Sequence, residues 1–199
     1  MNYLAHAWLA GDFGPFLAGG MAADYIKGPA HREIDPALWK GVMLHRQVDS
    51  FTDAHPVCRR ARGRFSSPRR RYSGILLDLA FDHFLAVGWS RHAGRPALGE
   101  FSRAVYDALE GQKDLLPASF LPVMARMKAG DWLTAYHAFE AVPLAIDRVA
   151  GRVRGGEAMR GAGEEIAGVY RELEGDFDEF FPELCQYARL ARLRLEHEA

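Results

Sequence analysis

The stretch Leu77-Asp78-Leu79-Ala80-Phe81-Asp82-His83-Phe84-Leu85 decides how this chain is read. Ile75 and Leu76 precede it, so apolar residues cover nearly every side of the helix it forms. A helix apolar all round is a buried helix. Asp78 and Asp82 then fall on one face with Leu85 and Trp89, and His83 lies beside that face. Carboxylates in such a place are costly unless they are paired, protonated or bound to a metal. The tension between a buried helix and its two acids is the main clue to function.

A second stretch carries the same tension: Leu44-His45-Arg46-Gln47-Val48-Asp49-Ser50-Phe51-Thr52-Asp53-Ala54-His55-Pro56. Asp35-Pro36 opens its helix, a cap residue followed by proline at the first helical position. Leu38, Val42, His45 and Asp49 make one stripe, so His45 and Asp49 continue an inward face. His45 with Asp49, and Asp78 with Asp82, are both i, i+4 pairs that two facing helices can close into a cage. Helical bundles build carboxylate and histidine metal sites this way. His6 and Asp24, on short helices near the start, complete an octahedral shell. Such oxygen-rich ligation suits manganese, magnesium or ferrous iron better than structural zinc. The bland alternatives stay open: His45–Asp49 is equally a helical hydrogen-bonded pair, and His83 a core histidine bound to a carbonyl. Asp53 and His55 then only shape the end of their helix. His31, His92, His137 and His197 stand in polar or isolated contexts and read as surface.

The remainder is helical in pattern. Asn2 caps a first helix ended by Gly11, Pro15 opens a second that Gly28-Pro29 stops, and Val57 to Arg71 reads as partly loop. Phe101, Val105 and Leu109 repeat every four residues; Pro117 opens a helix that Gly130 closes, and Pro143 kinks or breaks a later one. No β-alternation, repeat or low-complexity tract interrupts this. The expectation is an all-α, single-domain bundle of seven to nine helices over residues 1–199, motif-bearing in 1–90 and mainly scaffold in 91–199. With 199 residues, 49% of them hydrophobic, the chain can bury a full core. No membrane-length apolar run and no leader-like start are read in it, which makes a cytoplasmic protein the expectation. Cys58 and Cys185 form no metal or redox pattern.

A formal net charge of −1 conceals a concentrated patch. Arg59, Arg60, Arg62, Arg64, Arg69, Arg70 and Arg71 fall within thirteen positions without an acid, whereas Glu164 to Glu183 is acid-rich. Arginine is the better fork for phosphate and carboxylate, so the run points to an anionic partner. Absent aromatic interleaving and a repelling acidic half argue against nucleic acid. An acidic protein surface fits better. A metal cage able to activate water beside an anion-holding segment suggests attack on phosphorus.

The ordered blocks Met1-Asn2-Tyr3-Leu4-Ala5-His6, Ala23-Asp24-Tyr25-Ile26-Lys27-Gly28, Leu44 to Pro56, Arg70-Arg71-Tyr72-Ser73-Gly74-Ile75 and Asp78 to Leu85 resemble the bacterial acyl carrier protein phosphodiesterases, also called acyl carrier protein hydrolases. The resemblance implies an all-α fold related to the HD phosphohydrolases and a divalent metal, usually manganese. It also implies hydrolysis of the phosphodiester joining 4′-phosphopantetheine to a serine of holo-acyl carrier protein. That substrate is a small acidic protein, which gives the arginine run a partner of the right sign. One departure matters: the chain has no adjacent His-Asp dipeptide, only Asp82-His83 in reverse. Ligands are therefore assigned from helical phase: His45, Asp78 and Asp82, joined by Asp24, Asp49 and His6. His83 and Asp49 are candidates for proton transfer or ligand orientation, and Arg46 for phosphate binding or for neutralising Asp49 or Asp53. The rivals are an HD-like phosphohydrolase of a small nucleotide and a non-catalytic binder of an acidic partner. The sharpest geometric expectation is that His45, Asp78 and Asp82 converge on one point; facing different sides of the fold, they would sink the metal reading.

Overall fold

The computed structural model describes residues 1–11, 13–27, 34–91 and 96–197. The Gly28-Pro29 helix stop, His31 and His92 lie outside them. Eleven α-helices and several 3-10 turns make up the described residues, which contain no strand. None of these helices is long and apolar enough to cross a membrane.

Helix α1 (Tyr3–Ala10) ends at Gly11, whose φ of 82° is the left-handed conformation glycine tolerates. Pro15 opens α2 (Pro15–Ala22), and a 3-10 turn, Ala23–Tyr25, follows directly. Asp35 caps α3 (Pro36–Ala54) as its sequence suggests: the carboxylate accepts from the Ala37 and Leu38 amides at 2.9 and 3.0 Å. The segment Val57 to Arg71 is more ordered than the expected partial loop. Pro56 supplies the first turn of α4 (Pro56–Arg62), and a 3-10 turn, Ser67–Tyr72, leads into α5 (Ser73–Val87).

After α6 (Leu98–Gly111) come α7 (Leu121–Ala129), α8 (Trp132–Ala135), α9 (Ala141–Ala150), α10 (Ala162–Gly168) and α11 (Tyr170–His197). Pro143 lies in the first turn of α9 and opens it rather than kinking it, because a missing amide costs nothing there. The count exceeds the expected seven to nine because α4, α8 and α10 are too short to leave a periodic signature.

Helix α5 runs through the core, with Leu76, Leu77, Ala80, Phe81, Phe84 and Leu85 almost wholly buried. Phe81 meets Phe177 and Phe180 of α11 at ring distances of 5.4 and 5.8 Å. Full burial of each such side chain contributes roughly 1.5–3 kcal/mol. Helices α2 and α3 cross in near contact, because Gly19 and Gly41 have no side chain at the crossing. A Cβ on Gly41 would stand 1.8 Å from the Phe16 carbonyl oxygen, and one on Gly19 1.9 Å from that of Leu38. That closeness puts the α2 backbone beside His45.

The acids of the C-terminal half have a structural use. Asp176 of α11, only 2% exposed, receives Arg60 at 2.7 and 2.9 Å and Arg64 at 2.7 Å. Arg60 also reaches Glu179 at 2.5 Å. Arg69 pairs with Glu165 and donates to the Ala158 and Arg160 carbonyls, fastening the turn before α5 to the segment around α10.

Candidate metal centre

The centre forms where α1, α3 and the turn after α2 meet. His6 from α1 and His45 from α3 stack with centroids 3.7 Å apart and planes at 15°. His45 Nδ1 lies 2.8 Å from the Gly20 carbonyl oxygen, so that nitrogen carries the proton and Nε2 faces the cluster. Nε2 of His45 stands 3.1 Å from Asp49 Oδ2 and 3.6 Å from Asp24 Oδ1. His6 Nε2 lies 3.2 Å from Asp49 Oδ1 and 3.1 Å from the Met1 carbonyl oxygen. One ligand atom each from His6, His45 and Asp49 fall within 4.8 Å of one another. Two imidazoles and a carboxylate so placed fit a divalent ion, with Asp24 beside them as a further oxygen donor.

The electrostatics of this cluster separate its members. Burial and the neighbouring His45 push His6 down to about 4, so its ring is neutral near pH 7. Burial alone would lower His45 too, but hydrogen bonds to Asp24 and Asp49 overcome it and raise the ring to about 9. Asp49 is held well below the usual carboxylate range: burial opposes its charge, and the two imidazoles outweigh that cost. The Met1 ammonium donates at 3.2 Å to Asp49 Oδ1, the oxygen that also faces His6, and lies 3.1 Å from Asp78 Oδ1. Burial raises the Asp78 carboxyl against the pull of that ammonium.

The expected convergence of His45, Asp78 and Asp82 on one point is not found among the described residues: the group that comes together is His6, His45 and Asp49, and the ligand set shifts. Asp78 is linked to the cluster through the Met1 ammonium, which it shares with Asp49. Asp82 turns away. Its two carboxylate oxygens accept the Leu4 and Ala5 amides at 2.8 and 3.1 Å, capping α1 from another helix. Asn2, at the N-cap position, makes no capping bond and instead donates to the Tyr136 hydroxyl at 2.6 Å. The first-turn amides of α1 thus find their acceptor across the core, and helix polarity favours an anion there. Fully enclosed, Asp82 is pushed up to about 7 by burial despite both amides.

His83 and Arg46 also leave the set. His83 has Nδ1 2.7 Å from the Tyr136 carbonyl oxygen and Nε2 2.8 Å from the Tyr170 hydroxyl, so both ring nitrogens are engaged, joining α5 to the end of α8 and to α11. Arg46 donates to the Ile26 carbonyl at 3.0 Å and lies over the Trp39 ring at 5.1 Å, off the cluster. The arginine run needs the same correction. Arg60, Arg64 and Arg69 spend their charge on acids of the C-terminal half, Arg62 pairs with Asp53, and Arg70 donates to the Phe65 carbonyl. Arg59 and Arg71 are exposed and make no ion pair among the described residues, Arg71 lying 5.7 Å over the Tyr72 ring.

A cleft of about 280 Å³ opens beside the cluster. Met1, Asp24 and Asp78 form its polar wall; Ile75, Leu79 and Val149 are among its apolar residues. A shallower groove of about 510 Å³, carrying Arg59, Arg62, Arg70 and Arg71, meets the cleft at Ile75. The cleft draws Trp132, Tyr136, Arg148 and Arg152 from the half read as scaffold. No local motif marked them; only the i, i+4 spacing of the two arginines hints at a shared face.

A helical protein with a metal-competent His–His–Asp cluster at the edge of a cleft is the class that fold and site define. The chain belongs to the acyl carrier protein phosphodiesterase family: the family model of that description matches residues 1–184. Proteins called acyl carrier protein phosphodiesterase from Serratia proteamaculans and Yersinia pestis are each 32% identical over 189 residues, 95% of this chain and 98% of theirs. One from Pectobacterium atrosepticum is 30% identical over 193 residues, covering 97% of this chain and all of its own length. No solved structure matches the chain.

Proposed function

We propose that this protein hydrolyses the phosphodiester joining 4′-phosphopantetheine to a serine of holo-acyl carrier protein, using a divalent metal, manganese foremost. The observation that carries the reading is the His6–His45–Asp49 cluster with Asp24 and Asp78 opening from it into a cleft, in a chain of this family. His6, His45 and Asp49 hold the ion in this reading, with Asp24 beside them. Bound there, the ion supplies positive charge to the phosphoryl oxygens and makes nearby water more acidic.

The chain's own residues do the rest. The Gly20 carbonyl fixes the His45 ring so that Nε2 faces the cluster. Asp49, ionised and shared between both imidazoles, holds their spacing. Asp78, its carboxyl raised by burial and facing the cleft, is placed to exchange a proton with the attacking water or the departing serine oxygen. Water oxygen bonds to phosphorus, the bond from phosphorus to the serine oxygen breaks, and that oxygen takes a proton. Apo-carrier and 4′-phosphopantetheine result. Arg59 and Arg71, facing solvent beside the cleft, steer the acidic carrier to it.

Incubating the protein with holo-carrier and manganese, magnesium or ferrous iron, then weighing the carrier by mass spectrometry, tests this. The expected result is loss of the phosphopantetheine mass. An intact holo-carrier with every ion overturns it.

A further inference from the structure

Two arginines outside the run line the cleft. Arg148, in the last turn of α9, and Arg152, in the turn that follows it, both line the cleft. Arg148 is held in place: its guanidinium carbon sits 4.4 Å over the Trp132 ring, and its Nε donates to the Leu144 carbonyl at 3.1 Å. That uses one of its five N–H groups, and the terminal fork is uncommitted. Arg152 is exposed at the mouth, with no carboxylate in ion-pair reach among the described residues. Most arginines of the run differ in having their charge answered within the fold. Positive charge left unanswered in a concave, partly apolar wall raises the local concentration of anions.

The lining of the cleft carries both signs of charge: Asp24 and Asp78, of which Asp24 adjoins the cluster, and the two arginines. Tyr3 and Tyr136 line the same space. A phosphate that enters meets the two arginines in a cleft that Asp24 joins to the cluster. Leu79, Ala145 and Val149 give the same space an apolar wall, and the Trp132 ring an aromatic one. About 280 Å³ is near the lower end for a small-molecule pocket.

We propose that Arg148 and Arg152 are the anion clamp of this cleft, gripping the substrate phosphate near the His6–His45–Asp49 cluster while the apolar and aromatic lining takes the pantetheine arm. This rests on the proposed hydrolysis for the identity of the arm. It assigns the second half of the chain the recognition of substrate rather than scaffolding alone.

Calorimetric titration of the chelator-treated full chain with 4′-phosphopantetheine, and with pantetheine lacking the phosphate, tests the clamp without turnover. Arg148→Gln and Arg152→Gln should each weaken 4′-phosphopantetheine binding about tenfold, as expected for a charge-assisted contact. Pantetheine, bound more weakly, should be indifferent to both. Arg152→Gln touches no packed neighbour, so it reads the clamp even if Arg148→Gln disturbs the stack on Trp132; Arg148→Lys, which keeps charge but not the fork, should recover part of the loss. Equal affinities for wild type and Arg152→Gln, or an equal loss for both ligands, overturn the clamp. A wild-type chain that binds 4′-phosphopantetheine in this arginine-dependent way yet never cleaves holo-carrier refutes the hydrolase and keeps the clamp. Cleavage with a KM unmoved by both arginine changes does the reverse.

Discussion

Replacing Asp82 by asparagine should make the protein more stable relative to wild type as pH rises, although it removes a buried acid from a helix N-terminus. The carboxyl is fully enclosed and moves from 3.8 in its ordinary state to about 7 in the fold. A folded value above the unfolded one means that the fold favours the protonated form. The stability this contributes is complete below about 3.8 and is lost as pH rises through 7. At roughly 1.4 kcal/mol per pH unit, the whole window amounts to about 4 kcal/mol. Asparagine keeps an oxygen acceptor for the Leu4 or Ala5 amide but carries no charge to ionise. Near pH 5 the folded acid is still mostly protonated but the unfolded one has ionised, so about 1.6 kcal/mol of the window is already lost; set against the roughly 1 kcal/mol of a neutral hydrogen bond, the variant should lie within about 1 kcal/mol of wild type. By pH 8 the balance should have moved in its favour by about 2–3 kcal/mol. Urea denaturation of chelator-treated protein at both pH values, with matched slopes, measures the difference. A variant that loses more stability at pH 8 than at pH 5 refutes the reasoning: the amides of α1 and the Met1 ammonium would then hold Asp82 ionised.

The candidate metal centre and the charge pairs make their own predictions. His45 is raised to about 9 in the metal-free protein, so a divalent ion must displace its proton; manganese affinity should climb from pH 6 to 9, with about one proton released in titrations across buffers of different ionisation enthalpy. His45→Ala and His6→Ala should each abolish stoichiometric metal, seen by elemental analysis after dialysis. Asp176→Ala should cost about 2–3 kcal/mol in chemical denaturation, below the full worth of a buried pair because Arg60 is 49% and Arg64 27% exposed and water screens both. Arg59→Glu with Arg71→Glu should raise KM for holo-carrier several-fold, more at low salt, with kcat unchanged; an effect confined to kcat would place them elsewhere than at a docking surface.

The all-α fold was legible because long helices repeat: Leu38, Val42 and His45 and the run Phe101, Val105, Leu109 are buried as their spacing requires, while Asp49, last in the first stripe, is half exposed. Seven-residue α4 and four-residue α8 give no period to read, and Pro56 and Pro143 look like breaks until their place in a first turn is known. At the site, i, i+4 spacing placed His45 and Asp49 together correctly but said nothing of direction across the core. Asp82 is apolar-flanked and acidic whether it holds an ion or caps a distant helix, and only the position of α1 distinguishes the two. His83 is the same case: a buried imidazole with two partners from residues 136 and 170 that no local pattern announces.

The arginine run shows why counting charge in sequence overstates a surface. Read alone, it is an uncompensated patch; folded, Asp176, Glu179 and Glu165 lie against Arg60, Arg64 and Arg69, so the acid-rich tail cancels much of it. Those pairs fix α4 and the turn before α5, the two segments that connect the helices bearing His45 and Asp78. The charge left for a partner is smaller but better placed: Arg59 and Arg71 on the groove, Arg148 and Arg152 in the cleft it joins at Ile75. An acidic protein bearing a phosphate-linked arm has use for both surfaces at once, whereas a free nucleotide would need only the cleft. Reversing Arg59 and Arg71 should therefore spare any small phosphodiester the protein accepts while impairing the carrier, and equal impairment of both would favour the nucleotide.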